Sequence, residues 1–134
     1  GQLSTGFTIY NSEKQQLLDT YKDIGSVDEV FQSRNKEFVK ELYERFVGTK
    51  GIGHVRYSTS GSEEKNLAQP FERMHGNKWK WFSFCWNGNL ANYLELKKQL
   101  LDEHDYHLIR NNDTELILHF LTLELRERNN TNLL

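Results

Sequence analysis

The sequence predicts a layered domain of the α/β or α+β class, because predicted strands and amphipathic helices follow one another along a chain of domain size. Its 134 residues are enough for one domain with a buried core. Hydrophobic residues make up 37% and charged residues 27% of the chain, which is typical of a folded domain rather than a disordered one.

The first part of the chain predicts two strands and a helix. Alternating polar and apolar residues in STGFTIY, residues 4–10, indicate a strand, and a second possible strand lies around residues 17–21. Residues 24–31 have a mixed pattern and predict a loop with a short turn. Phe38, Leu42 and Phe46 follow a spacing of i, i+4 and i+8, so we expect an amphipathic helix that begins near residue 33 and stops at Gly48.

The second part predicts two more strands and two helices. GIGHVRYST, residues 51–59, is typical of a buried strand, and a polar loop follows it. KWKWFSFCW, residues 78–86, has apolar side chains on both alternating faces, which predicts a strand inside a layered structure. The spacing of LANYLELKKQLL, residues 90–101, predicts a helix just after an Asn-Gly-Asn turn, and a last helix starts near Asp113.

Charge and cysteine content restrict the classes of partner and compartment. Lys and Arg number 17 against 19 Asp and Glu, so the chain offers no strong positive field, and we expect no nucleic-acid partner. The single cysteine cannot form an internal disulfide and fits a reducing compartment, so we expect a cytoplasmic protein. No apolar run approaches the ~20 residues that span a bilayer, so we expect no membrane partner.

The turn Asn87-Gly88 is a candidate oxyanion hole. Asn-Gly between apolar runs is usually a hairpin turn, but here a helical pattern follows, so the turn joins a strand to a helix. An Asn side-chain amide beside a freely approachable Gly N–H supplies two donors for a developing negative charge. Cys85 precedes this turn, but its place on a strand face predicts a buried structural cysteine rather than a nucleophile.

Two further stretches carry charges suited to an amino acid. Arg56 and Thr59 end the strand in GHVRYST, where a guanidinium holds a carboxylate with two parallel bonds; the alternative is an ordinary surface ion pair. Asp113 opens the last helix, as a ligand for an ammonium group or as part of a helix cap in which Glu115 follows Asn112 by three residues. Together with the turn, these residues predict a pocket that binds the α-carboxylate and α-ammonium groups of an amino acid. The chemical attack would take place at the end of its side chain.

Five motifs occur in the order and approximate spacing of a known family: GQLSTGF, GHVRYSTSG, AQPF, WNGNL and NNDTELILHF. In this the chain resembles the class II glutamine amidotransferase domain, which belongs to the N-terminal nucleophile hydrolases. The form GHVRYST, with Tyr after Arg, is most similar to the amidophosphoribosyltransferases of purine synthesis. The resemblance runs from residue 1 to about residue 121 and implies an α+β fold, a four-layer αββα sandwich of antiparallel sheets.

The resemblance implies roles for the candidate residues. Arg56 would hold the α-carboxylate of glutamine, with Tyr57 and Thr59 in support, and Asp113 would meet its α-ammonium. The Asn87 side-chain amide and the Gly88 N–H would stabilise the tetrahedral oxyanion.

The implied chemistry uses a cysteine at the mature N-terminus. That cysteine attacks the glutamine side-chain amide, its own α-amine acts as the base, and ammonia leaves toward an acceptor such as phosphoribosyl pyrophosphate, bound by another domain of the same parent chain. The resemblance also implies no cofactor in this domain, and we expect a homo-oligomer.

The chain departs from the family pattern at three places. Gly1-Gln2 matches only the end of a His-Arg-Gly-Gln motif, and the chain ends before the later strands of the domain. We therefore expect residues 1–134 to be one partial glutaminase domain, incomplete at both ends, that lacks the nucleophile and is inactive by itself. The usual His before Asn-Gly is Trp86.

Three alternatives to a catalytic amidotransferase concern other residues or other functions. The five histidines show no metal-ligand pairing on one helix face, so we assign no metal, and His54 is expected to be a satisfied core residue. A catalytically dead module kept for assembly or regulation stays open. So does an aromatic-rich nucleic-acid platform at KWKWFSFCW, although the net charge does not favour it.

Overall fold

The computed structural model describes residues 2–57, 65–104 and 106–127. The strands in this part of the chain are β1 Gln2–Tyr10, β2 Leu18–Ile24, β3 Lys50–Tyr57, β4 Phe71–Arg73 and β5 Phe82–Phe84. The helices are α1 Val27–Phe31, α2 Lys36–Arg45, α3 Tyr93–His104 and α4 Asp113–Glu127. Short 3₁₀ turns lie at Lys65–Leu67 and Lys78–Lys80.

Two antiparallel sheets form the centre of the fold. The larger sheet has the order β2-β1-β3, and the smaller sheet pairs β4 with β5. In the larger sheet Gly6 lies between Lys22 of β2 and His54 of β3, and Ser4 lies between Ile24 and Arg56. Since opposite residues point to the same face, these rows define one face of the sheet, and the alternate rows define the other.

An aromatic layer covers one face of the larger sheet. The ring of Phe7 in β1 packs 4.9 Å from that of Phe46 and 5.5 Å from that of Phe31, centre to centre. Tyr21, which is opposite Phe7 in β2, contacts Phe38 of α2 and the same two rings. The apolar sides of α1 and α2 therefore pack on this face, as the spacing of Phe38 and Phe46 predicts.

The other face of the larger sheet meets the smaller sheet through polar side chains. Thr8 and Thr20 share a hydrogen bond of 2.7 Å, and the Ser83 hydroxyl of β5 donates to Thr8 Oγ1 at 2.9 Å. The Thr20 hydroxyl also donates to the Glu72 carboxylate of β4 at 2.5 Å. Hydrogen bonds of hydroxyl groups thus connect the two sheets.

Helix α4 covers the outer side of the smaller sheet, and α3 packs against α4. α4 packs on β4 and on α3, and the two helices enclose an apolar cluster of Leu100, Leu108, Leu116 and Leu123. The layers therefore follow the order helices, sheet, sheet, helices, which confirms the predicted αββα sandwich of antiparallel sheets in the α+β class.

Three local predictions were wrong. Residues 27–31 form a helix rather than a loop, because the Ser26 hydroxyl and the Glu29 carboxylate form a reciprocal capping box at its start. β5 has only three residues, since its predicted first part is the 3₁₀ turn Lys78–Lys80. β3 is exposed or half-buried rather than buried, because it lies at the end of the strand order in the part of the sheet that is described.

Candidate functional site

The Asn87-Gly88 turn lies between β5 and α3 and is fixed to α4 by one hydrogen bond. The Leu90 backbone N–H, two residues beyond Gly88, donates to Asp113 Oδ2 at 2.6 Å. The predicted oxyanion donors and the predicted ammonium ligand, which lie about 25 residues apart in the sequence, are therefore neighbours in the fold. Asn87 and Gly88 are exposed, so a ligand can approach both of their N–H donors.

Asp113 occupies the first position of α4, where the preceding loop is held by a buried carboxylate. Glu115, 2% exposed, accepts hydrogen bonds from the backbone N–H groups of Ile109, Arg110 and Asn111 at 2.7 to 2.9 Å. The Asn112 side chain caps the helix by accepting from the Glu115 N–H at 2.8 Å. The predicted capping box is thus present in one half only, because the Glu115 carboxylate turns to the loop before Asn112.

Arg56 lies on the inner face of β3, near the C-terminal end of that strand. It is opposite Ser4 in the register, on the same face as His54 and Gly6. The Gln69 carbonyl packs against Gly6 so closely that a Cβ there would lie 2.4 Å from its oxygen, and the Gln69 side chain bonds to Trp86 beside the Asn87 turn. Residues 69 and 86 thus connect the turn to the sheet row next to Arg56.

The inner face beside Arg56 contains polar atoms that are buried and unpaired. Ser4, 3% exposed, and the half-buried His54 each present such an atom, Oγ and Nδ1, with no hydrogen-bond partner among the described residues. Burial lowers the pKa of His54, and the neighbouring Arg56 cation lowers that pKa further, so this imidazole is neutral near pH 7. His54 is therefore not the satisfied core histidine that the sequence predicts.

Two other residues of the predicted site differ in how the structure places them. Tyr57 is 66% exposed and follows Arg56, so strand alternation turns it to the opposite face. Thr59 lies outside the described residues.

Cys85 is half-buried at the end of β5 rather than fully buried. Burial raises the pKa of its thiol, and the Lys22 ammonium on the facing sheet opposes that rise only in part. A thiol with a raised pKa is a poor nucleophile near pH 7, which agrees with the packing role predicted for this residue.

Gln69 is a residue of this region to which the sequence assigned no role. It lies in the AQPF motif, is 7% exposed, and makes two hydrogen bonds to the Trp86 backbone. A glutamine beside a proline in an otherwise apolar motif was the available signal, but the partner lies 17 residues away and only the fold reveals it.

We also searched the described residues for a metal site, a membrane-spanning helix and a surface depression. In the described residues, no group of three or more His, Cys, Asp or Glu side chains is arranged to hold a metal ion. None of the helices within those residues is both long enough and apolar enough to cross a bilayer. An open depression of about 310 Å³ lies on the outer helical layer, lined by Asp28, Glu29, Gln32, Ser33, Arg34 and Asn35.

Comparisons with known proteins identify the family of the chain. The family model described as glutamine amidotransferases class-II matches residues 5–133. The chain is 36% identical over 129 residues to the amidophosphoribosyltransferase of Pseudomonas aeruginosa, covering 96% of this chain and 23% of that protein. It is 35% identical over 123 residues to the human amidophosphoribosyltransferase, covering 90% of this chain and 22% of that protein.

The E. coli amidophosphoribosyltransferase is 38% identical over 101 residues, which are 75% of this chain and 18% of that protein. The chain therefore spans about a quarter or less of the length of these relatives. Because the family model covers nearly the whole chain, this chain belongs to the class II glutamine amidotransferases.

Proposed function

We propose that this chain forms the glutamine site of an amidotransferase that hydrolyses the glutamine side-chain amide and delivers the ammonia to an acceptor. The acceptor would be phosphoribosyl pyrophosphate in purine synthesis, held by another part of a longer protein. The single observation that carries the proposal is the 2.6 Å hydrogen bond from the Leu90 N–H to Asp113 Oδ2, since it joins the oxyanion turn to the ammonium ligand.

Substrate recognition would use opposite charges at the two ends of the amino-acid group. The Arg56 guanidinium would hold the α-carboxylate, with Thr59 in support, because a planar guanidinium offers two parallel donors to a carboxylate. Tyr57, on the opposite face of β3, is left out of this proposal. Asp113 Oδ2 is engaged by Leu90, which leaves Oδ1 for the α-ammonium. With these groups fixed, the side-chain amide of glutamine would extend toward Asn87 and Gly88.

The reaction would proceed through a thioester. The thiol of an N-terminal cysteine in the longer protein would lose its proton to its own α-amine and attack the amide carbon. The carbonyl oxygen would become an oxyanion that accepts from the Asn87 amide and the Gly88 N–H. Collapse would expel ammonia with the transferred proton, and water would then cleave the thioester to glutamate and restore the thiol.

Cys85 is the only cysteine in the sequence, and its raised thiol pKa does not suit the nucleophilic role. We therefore infer that the 134-residue chain by itself releases no glutamate from glutamine. Steady release by this chain, retained after Cys85→Ala, would contradict the requirement for an added cysteine. We further propose that the longer protein is a cytoplasmic homo-oligomer that needs no cofactor in this domain.

The experiment that tests the glutamine site is a kinetic comparison in the full-length protein. We expect Arg56→Ala to raise the KM for glutamine about 10- to 100-fold, because a charge-assisted carboxylate contact contributes about 1.5–3 kcal/mol. Arg34→Ala, which removes an exposed arginine of the outer helical layer, is the matched control and should leave KM unchanged. An unchanged KM in Arg56→Ala would remove Arg56 from the site.

A further inference from the structure

The Gln69 side chain makes hydrogen bonds to both backbone polar groups of Trp86. Its Oε1 accepts from the Trp86 N–H at 2.7 Å, and its Nε2 donates to the Trp86 carbonyl at 3.1 Å. This is the pairing that a neighbouring strand would supply, although β5 ends two residues earlier, at Phe84. A single side chain therefore fixes the peptide groups on both sides of the residue that precedes Asn87.

Gln69 is itself held by both sheets. Its carbonyl lies against Gly6 of β1, and the Lys22 ammonium of β2 donates to the carbonyl of the next residue, Pro70, at 2.7 Å. β4 then begins at Phe71, which pairs with Phe84 of β5. Gln69 is 7% exposed and fixed at these points, so the position of the Trp86 backbone depends on the position of the sheets.

The exposed turn between the two anchors depends on them for its geometry. Trp86 is held by Gln69 on one side, and Leu90 is held by Asp113 on the other. The intervening residues 87–89 are all exposed. An oxyanion hole requires its donors at about 2.7–3.1 Å from the oxyanion, so a small shift of this turn weakens both contacts.

We infer that Gln69 is a positioning residue for the Asn87 and Gly88 donors, an inference that rests on the proposed amidotransferase function. Gln69 acts through the Trp86 backbone rather than on glutamine. Since the two donors stabilise charge that develops only in the transition state, loss of the Gln69 contacts lowers kcat and leaves the KM for glutamine nearly unchanged.

The kinetic test compares two substitutions in the full-length protein. Gln69→Ala removes both hydrogen bonds, and we expect kcat to fall about 10- to 100-fold, the scale of a misplacement near 1 Å. Gln69→Glu keeps the size and the acceptor but sets an oxygen against the Trp86 carbonyl, so it should also lower kcat. The control is Gln16→Ala, because the Gln16 amide likewise donates to a backbone carbonyl, that of Leu18 at 3.1 Å, away from the turn.

A second measurement does not depend on catalysis. Amide hydrogen exchange should accelerate at the Trp86 N–H in Gln69→Ala, which loses the acceptor of that N–H, while the β1–β2 amides around Phe7 and Tyr21 keep their wild-type rates. If exchange at the sheet amides also accelerates in Gln69→Ala, that variant is disturbed as a whole. The kcat and KM of the isosteric Gln69→Glu variant then decide the outcome.

The outcomes separate the two levels of the proposal. A lowered kcat with a constant KM and faster exchange at Trp86 supports the positioning role. An unchanged kcat in a folded Gln69 variant, beside an active wild type, overturns it, and so does a loss expressed only in KM. If the wild-type full-length protein does not hydrolyse glutamine, the proposed function itself is wrong. The two failures can be told apart, because the exchange measurement on Trp86 does not depend on that activity.

Discussion

Asn87 is the residue on which the proposed chemistry depends most directly. Its side chain is exposed in a turn whose two ends are tied to Gln69 and Asp113. The donors are therefore accessible to substrate, while the backbone that carries them is held in place. This combination of an exposed donor and a fixed backbone is what electrostatic stabilisation of a transition state requires.

We expect Asn87→Ala to lower kcat for glutamine hydrolysis in the full-length protein by a factor on the order of 10²–10³, the usual cost of one oxyanion donor. KM should change little, because the donor acts on the developing charge rather than on the bound substrate. Asn89→Ala, two residues along the same exposed turn, is the control and should retain wild-type kinetics. Equal losses in the two variants would show that the turn is sensitive in general and that Asn87 has no specific role.

His119 gives a pH-dependent contribution to stability at the residue scale. It is 8% exposed on α4, and its ring packs against Tyr106 with centres 4.7 Å apart. Burial lowers its pKa from the ordinary 6.5, the Glu115 carboxylate opposes that shift, and the cations of Arg73 and Arg110 add to it. The folded protein therefore holds this imidazole neutral at a pH where the unfolded chain binds a proton.

The sign of the pH dependence follows from that lowered pKa. The contribution of neutral His119 is fully present above pH 6.5 and is lost as the pH falls from 6.5 through the pKa of the folded protein. We expect denaturant unfolding to give a lower free energy at about pH 5.5 than at about pH 7.5, and His119→Phe to reduce that difference. His54 and His75 also have lowered pKa values, so part of the difference remains. The exposed His107→Phe is the control, and an equal reduction there would refute the assignment.

At the scale of elements, the start of α4 depends on a buried carboxylate. Glu115 gathers three backbone N–H groups from the loop that precedes the helix, and Asn111 in that loop has a positive φ of 51°. Asn adopts this left-handed conformation more readily than most residues. Asp113 follows this loop directly. The Glu115 carboxylate therefore both stabilises the start of the helix and helps to position a proposed ligand for glutamine.

We expect Glu115→Ala to lower the free energy of unfolding of the chain by about 3 kcal/mol, since it leaves buried N–H groups without their charged acceptor. The measurement is denaturant unfolding followed by circular dichroism. Glu103→Ala removes an exposed carboxylate from the last part of α3 and should change stability by less than about 0.5 kcal/mol. Similar values for the two variants would mean that the Glu115 contacts contribute little net stability.

At the scale of the whole molecule, hydrogen bonds of hydroxyl groups connect the two sheets. Thr8, 2% exposed, bonds to Thr20 in its own sheet and to Ser83 in the other. A polar contact of this kind fixes the relative position of the layers more sharply than apolar packing does, because each hydroxyl requires a particular partner. The relative position of the sheets also sets where Gln69 and Trp86 meet.

We expect Thr8→Val to lower the free energy of unfolding by about 1–3 kcal/mol, because it keeps the shape but deprives Thr20 and Ser83 of a buried partner. The exposed Thr49→Val, at the start of the β3 region, is the control. A double substitution with Ser83→Ala should cost less than the sum of the single changes, since either single change already removes the hydrogen bond that Ser83 and Thr8 share. Strict additivity would contradict a direct coupling between the sheets.

The sequence by itself predicted a layered fold, the approximate positions of the longer helices and a set of candidate site residues. Periodicity placed α2, α3 and the start of α4, because a helical face of apolar residues is a local property of the chain. The motifs selected Arg56, Asn87, Gly88 and Asp113, whose chemistry is evident from residue type and order. The short helix α1 was missed although Ser26 and Glu29 have the spacing of a capping box.

Only the tertiary structure decided which distant residues meet. The contact of Leu90 with Asp113 and the two bonds of Gln69 to Trp86 cross 23 and 17 residues of sequence, and no local pattern encodes them. The exposure of β3 and the half-burial of Cys85 likewise depend on the order of the strands and on the approach of the second sheet. The physical reason is that backbone preferences act over a few residues, whereas these contacts arise from the packing of complete layers against one another.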